Sequence, residues 1–171
     1  STDNTIELIK KFFSDKNING ELVEHAWKDF GYNRSKALEC AYNKTDYLLI
    51  FDADDSIHGK LVLPKLDKDN YLLVFGSKNG SCVYNRTLLI NNRKKWKFVG
   101  VLHEYITCEE PNTTQDMITG NYYIESGRTG ARSSDPRKYE KDAIVLENAY
   151  EQETDAGLQS RYAFYCAQSW K

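Results

Sequence analysis

The sequence predicts an α/β protein, on three observations. Helix-like and strand-like segments alternate with short connections over residues 1–51. The middle of the chain is rich in β-branched and aromatic runs, and helical periodicity returns from Asp135. With 171 residues, 40% hydrophobic and 13% aromatic, the chain can bury one real core and reads as one main domain.

The elements follow in order. "STDNTIELIKKFF" predicts a helix starting almost at Ser1, with Ile6, Ile9, Phe12 and Phe13 on one face and Ser1, Thr2, Asp3 and Asn4 suited to cap it. A capped helix with no element before it suggests a chain cut from something longer. "NINGELVEHAW" offers a turn at Asn19–Gly20 and a short strand around Glu21 to His25. "GYNRSKALECAYNK" spaces Ala37, Leu38 and Ala41 helically, and "YLLIF" follows as an apolar strand. Helix, strand, helix, strand with short links implies parallel pairing.

Beyond Gly59 the texture changes. "NYLLVFGSKNGSCVYNRTLLINN" reads as two strands around a turn at Ser77–Lys78–Asn79–Gly80. "KKWKFVGVLHEYITCEE" and "GNYYIESG" add strand-like pieces, separated by a polar loop containing Pro111. "DPRKYEKDAIVLENAYEQ" puts Pro136 at a first-turn position ahead of Tyr139, Ile144, Leu146 and Ala149, and "ETDAGLQSRYAFYCAQSWK" predicts a second helix. Such a pair resembles the first unit of a helical array and offers a surface for a protein partner.

Composition excludes some classes. A net charge of -2, from 23 basic and 25 acidic residues, gives no electrostatic case for nucleic acid or an anionic membrane. Three Trp, twelve Tyr and seven Phe argue against disorder. No apolar run approaches the roughly 20 residues that span a bilayer, and the polar first residues show no signal peptide. Cys40, Cys82, Cys108 and Cys166 form no C-x-x-C pair and read as buried free thiols in a reducing compartment such as the cytoplasm. Sequons at Asn33, Asn43, Asn79, Asn85 and Asn112 are weak evidence for secretion in so Asn-rich a chain.

The chemistry gathers at "YLLIFDADDSIHG", where an apolar run meets Asp52, Asp54 and Asp55. Ligands of open α/β sheets collect beyond the carboxyl ends of the strands. The i, i+2 spacing lets Asp52 and Asp54 face one side of an extended segment, and hard oxygens so placed suit Mg²⁺ or Mn²⁺ completed by phosphate oxygens. The alternative is a solvated turn closing a strand. His103–Glu104 is a second pair; on a strand these neighbours face opposite sides, so both reach one site only if the strand ends or bends there. The plain alternative is a His bonded to backbone beside an exposed Glu. Trp27, Tyr32, Trp96, Tyr122 and Tyr123 are either core residues or sugar-stacking faces.

Several stretches, in order, carry a resemblance to family 2 glycosyltransferases with the GT-A fold. "STDNTIELIKKFF" resembles that family's "GSTDxT" turn and helix. "WKDFGYNRSKALECAYNKTDYLLIFDADD" resembles its Asn/Arg helix leading into the D-x-D strand. "WKFVGVLHEYI" resembles the W-x-x-x-G-x-x-H-E segment of one branch, and "GRTGARSSDPRKYEKDAIVLENAY" the loop and helix after it, which often continue into tetratricopeptide-like repeats. The resemblance implies a mixed sheet flanked by helices, with residues 1–134 as catalytic domain and 135–171 as helical extension. It also implies that the family's opening strand, helix and second strand are lacking from this sequence, along with an Asp before the "GSTD" turn.

The implied activity is metal-dependent, inverting transfer of a sugar from a nucleotide-sugar donor, UDP-linked, to a glycan, lipid-linked or protein acceptor. The implied roles are Asp54, with Asp52 and His103, as ligands of Mn²⁺ or Mg²⁺, and Glu104 as general base. Asp3, Arg34, Asp52, Arg128, Arg132 and Lys138 are the candidates for nucleotide and diphosphate contacts, the basic "SGRTGARSS" loop closing over the phosphates. For each cation taken singly, solvated surface charge is the plain alternative. A non-catalytic glycan- or protein-binding module derived from such an enzyme is the rival reading.

Overall fold

A computed structural model describes residues 3–77, 80, 83–127 and 129–171. Lys78 and Asn79 of the turn expected at Ser77–Gly80, Cys82 and Arg128 lie outside the described residues. The chain forms helix α1 (Thr5–Lys16), helix α2 (Phe30–Ala41), strands β1 (Tyr47–Leu49), β2 (Ser56–Gly59), β3 (Asn70–Phe75), β4 (Tyr84–Asn91), β5 (Trp96–Val99), β6 (Tyr105–Cys108), β7 (Gln115–Met117) and β8 (Tyr122–Glu125), and helices α3 (Lys138–Gln152) and α4 (Ala156–Ser169). A 3₁₀ turn, Ala131–Ser134, leads into α3.

The main sheet is mixed. Its order is β1-β4-β3-β8-β2, with β7 also paired to β3. β3 is the central strand and reads accordingly: Tyr71, Leu73 and Phe75 are buried and join Leu88, Leu89, Ile118, Tyr122 and Ile124 in the first core. The β3–β7 and β3–β8 pairings are parallel, while β1–β4, β3–β4 and β2–β8 are antiparallel. β5 and β6 form a separate antiparallel pair.

Two expectations change here. Residues 21–25 form no strand, so the parallel pairing expected between that segment and β1 does not arise. A strand exists only where a neighbouring edge takes its hydrogen bonds, and this segment has none; Val23 is exposed and Glu21 is held by Lys44 at 2.5 Å. The helix expected from Asp135 starts at Lys138, because Asp135 instead turns the chain, accepting from the Arg137 and Lys138 N–H groups. Pro136 thus precedes the first turn.

α2 packs on β5, with Leu38, Ile90 and Trp96 as a second core, while α3 and α4 pair with one another. Asp29 caps α2 by accepting from the Tyr32 N–H at 2.7 Å. Asn33 is spent locally: its side-chain oxygen accepts from the Lys28 N–H and its amide donates to the Ala26 carbonyl. A third core of Leu102, Leu146 and Tyr162 joins the β5–β6 connection to both C-terminal helices. By contrast α1 has no buried residue, and Leu8 and Phe12 are exposed. Cys40, Cys108 and Cys166 are free thiols, half-buried rather than buried. Among the described residues no helix is long and apolar enough to cross a membrane.

Candidate active site

His103 and Glu104 sit on the tight connection between β5 and β6, not on a strand. That bend is what lets neighbours with opposite strand faces serve one site. Two backbone features build it. Gly100 has φ +107 and His103 has φ +54, both left-handed, and the first is a conformation suited to glycine. α2 docks directly on this turn: the Phe30 N–H donates to the Val101 carbonyl at 3.2 Å. Gly31 permits the approach, since a Cβ there would collide with the Gly100 carbonyl oxygen.

From α2, Arg34 reaches both acidic motifs. Its Nη2 lies 3.0 Å from Asp52 Oδ1 and its Nε 3.4 Å from Glu104 Oε1, while the guanidinium rests 4.8 Å above the Phe98 ring. The Glu104 side chain is only 11% exposed, so its pairing with Arg34 takes place largely out of water. Arg86 of β4 lies 3.9 Å from Asp52 on the other side and stacks on Phe75 at 4.9 Å. The carboxyl end of β1 and the 100–104 turn are therefore one neighbourhood, joined by a guanidinium.

The acidic turn continues outward. Asp54 is exposed and accepts from the Thr129 N–H at 3.3 Å. Asp55 accepts from the Gly127 N–H at 3.1 Å. Gly127 lies so close that an added Cβ would meet the Asp54 backbone, so Gly127 is laid against the turn. Among the described residues no group of three His, Cys, Asp or Glu side chains converges.

A cleft of about 860 Å³ opens beside Arg34 and Glu104. Among the described residues five cations line it, Arg34, Arg86, Arg132, Lys138 and Arg161, against the acids Glu104 and Asp142. Arg132 is paired with the buried Asp142 and stacks on Phe30, so the basic segment is anchored to α3 and to the start of α2. Lys138 lies at the mouth of α3 with its ammonium 5.4 Å above the Tyr139 ring. His103 stacks on Tyr165, ring centroids 3.9 Å apart, and packing around the imidazole holds its pKa below the ordinary value, against the pull of Asp142 and Glu104.

Of the site residues read from sequence, Asp52, Arg34, His103, Glu104, Arg132 and Lys138 thus fall around one cleft or its rim. Asp54 stands beside it on the acidic turn, and Arg128 lies outside the described residues. Asp3 does not join them: its carboxylate accepts from the Thr5 N–H and hydroxyl at the start of α1, no residue of which lines the cleft. Trp96 and Tyr122 are core residues and Tyr123 stacks on His58, whereas the aromatic side chains at the cleft, among the described residues, are Phe30, Tyr84, Phe98, Tyr105 and Tyr165. Arg86, Asp142 and Arg161 went unread. Arg86 is a lone cation in the run "YNRTLLIN", a weak signal, and Arg161 lies on an otherwise apolar helical stripe with Tyr162 and Tyr165.

The α/β fold thus sets an acidic strand end and a carboxylate-bearing turn beside one basic cleft. The model of glycosyl transferase family 2 matches residues 1–121, and the chain belongs to that family. It is accordingly a glycosyltransferase, acting between a nucleotide-sugar donor and an acceptor. No curated protein matches the chain.

Proposed function

We propose that the chain is an inverting, metal-dependent hexosyltransferase that uses a UDP-linked donor and a glycan, lipid-linked or protein acceptor. The observation that carries this reading is the double contact of Arg34, which ties Asp52 and Glu104 into one site. Residues 1–134 are read as the catalytic domain and 135–171 as its helical extension.

Asp54 is assigned to the cation, with Asp52 and His103 as further candidates. The donor set fits Mn²⁺ or Mg²⁺: these ions are often held by one or two carboxylates and otherwise by substrate phosphates, so a cage of three protein ligands is not required. Asp54 is exposed, and its hydrogen bond from the Thr129 N–H is long at 3.3 Å and readily exchanged for a ligand. When bound, such an ion would neutralise charge on the departing diphosphate. Arg86, Lys138 and Arg132 supply further positive charge along the cleft, where phosphate oxygens accept N–H donors.

Glu104 is assigned as the general base. As the acceptor oxygen bonds the anomeric carbon, its proton passes to a Glu104 carboxylate oxygen and the bond from that carbon to the diphosphate oxygen breaks. One displacement of this kind inverts the centre. Arg34, with its Nε 3.4 Å from Glu104 Oε1, keeps the carboxylate in place until the acceptor arrives.

The test is a donor screen. The chain is mixed with a panel of nucleotide sugars, with and without Mn²⁺, and melting temperature and nucleotide release are measured. A UDP-sugar that raises the melting temperature only with Mn²⁺ and releases UDP supports the reading. Binding without release of nucleotide from any sugar would reject it in favour of a binding module.

A further inference from the structure

The C-terminal helix α4 makes a set of contacts that the proposed reaction does not yet use. Arg161 aims both prongs of its guanidinium at one backbone atom: Nε and Nη2 donate to the His103 carbonyl at 2.8 and 2.6 Å. The same guanidinium lies over the Tyr105 and Tyr165 rings, at 5.3 and 5.1 Å. At the next position of the helix, the Tyr162 hydroxyl accepts the Val101 N–H at 3.2 Å. Tyr165 then stacks flat on the His103 ring, 9° from parallel. Three consecutive inward positions of one helix therefore hold the backbone before, at and beside the H-E pair.

A two-pronged guanidinium is ordinarily matched to a carboxylate or phosphate; here it holds a neutral carbonyl. The position it holds is the strained one. His103 is a non-glycine residue at positive φ, a conformation that persists where surrounding contacts over-determine it. Fixing the His103 carbonyl fixes the plane of the peptide that leads into Glu104, and so the direction in which the Glu104 side chain leaves the backbone.

We infer that Arg161 is a positioning residue for the transfer step, acting through the His103–Glu104 peptide to aim the Glu104 carboxylate, and that α4 is for this reason part of the active site. The inference rests on Glu104 being the base. It differs from the other role a cleft arginine could have, direct contact with the donor phosphates, and the two separate cleanly in kinetics. A phosphate contact made equally in ground and transition states raises KM when removed, whereas an aiming residue lowers kcat.

The experiment uses the full chain with UDP-glucose and Mn²⁺, or whichever nucleotide sugar the donor screen returns, and three variants. Arg161→Lys keeps the charge over the tyrosines but loses the fork, Arg161→Ala loses both, and Glu104→Gln tests the base itself. The expected result is a kcat about 10-fold lower in Arg161→Lys and about 100-fold lower in Arg161→Ala, the size expected when a catalytic group is misplaced by about 1 Å, with donor KM within about twofold of the parent. Amide hydrogen exchange at residues 101–105 should quicken in both arginine variants. Should Arg161→Ala not fold, Arg161→Lys decides alone. A raised donor KM with unchanged kcat, or parent-like turnover in Arg161→Lys, overturns the inference. If Glu104→Gln keeps parent turnover, or no donor is turned over at all, the base assignment has failed instead. Exchange then judges the clamp: unchanged protection at 101–105 in Arg161→Lys overturns it, and faster exchange sustains it as a backbone clamp.

Discussion

The two acidic turns of the site are built in opposite ways. The 100–104 turn is gripped from two sides, by the start of α2 through Phe30 and Gly31 and by α4 through Arg161, Tyr162 and Tyr165, and Glu104 is nearly covered. The 52–55 turn lies at the end of an edge strand, carries an exposed Asp54, and is touched by the backbone N–H groups of Gly127 and Thr129. A proton-accepting group needs its place set before substrate arrives, since misaiming costs rate directly. A cation-binding group whose other ligands arrive with the substrate gains from staying open. Arg34, touching both, is where the rigid half meets the open one.

That contrast is easiest to break at Glu104. Glu104→Gln preserves shape and can still meet Arg34, so the fold should hold while kcat at saturating acceptor falls about 10³-fold, the middle of the range for losing a general base. Turnover within tenfold of the parent would remove Glu104 from the proton's path and leave the rigid turn without a chemical purpose.

Asp54→Ala probes the open half. The expected loss is about 10²-fold in transfer, with the remaining rate no longer rising on addition of Mn²⁺. Because the side chain is exposed and, among the described residues, makes a single long bond, unfolding free energy should change by no more than about 0.5 kcal/mol. Parent-like activation by Mn²⁺ would move the cation elsewhere.

A pair of glycine substitutions sharpens the difference without touching a charged group. Gly31→Ala drives a methyl into the Gly100 carbonyl at the gripped turn, and should lower stability by about 1–3 kcal/mol in urea denaturation. Gly127→Ala drives one into the backbone of Asp54, an overlap of the same kind, and should cost stability of similar size. What separates the two is the cation: Gly127→Ala should also raise the Mn²⁺ concentration for half-maximal transfer several-fold, and Gly31→Ala should raise it less. Equal shifts in Mn²⁺ requirement from the two would erase the distinction.

Much of this was readable from the sequence, and the division is physical. Local signals carried through: the 3.6-residue spacing behind α2, α3 and α4 and the apolar run of β3 both depend on residues a few positions apart. The bend at His103–Glu104 was implied as a requirement, not located, since φ at one histidine has no sequence marker. The strand expected at 21–25 failed because a strand depends on a partner edge, which is a property of the fold. Arg86, Asp142 and Arg161 escaped for the same reason: each matters for what it meets, 34, 10 and 58 residues away in sequence, and nothing beside it says so. Asp3 shows the reverse case, a motif residue whose Oδ1 accepts from Thr5 at the start of α1, away from the residues that line the cleft.

The smallest effect expected of the gripped turn is a dependence on pH. Packing against Tyr165 holds the folded pKa of His103 below its ordinary value, and burial outweighs the favourable charges of Asp142 and Glu104. Proton uptake on unfolding follows: between the folded pKa and about 6.5 the unfolded chain binds more protons at this residue than the folded one, so stability rises with pH across that window. The contribution is complete above about pH 6.5 and is lost as pH falls through that value toward the folded pKa. His103→Asn keeps a residue that tolerates positive φ while removing the titrating ring. Urea midpoints measured in EDTA from pH 8 to pH 5 should therefore fall less in His103→Asn than in the parent, the carboxylates common to both cancelling in the difference. If the two curves run parallel, the imidazole is not desolvated by its stack, and the 100–104 turn is looser than its contacts with α4 imply.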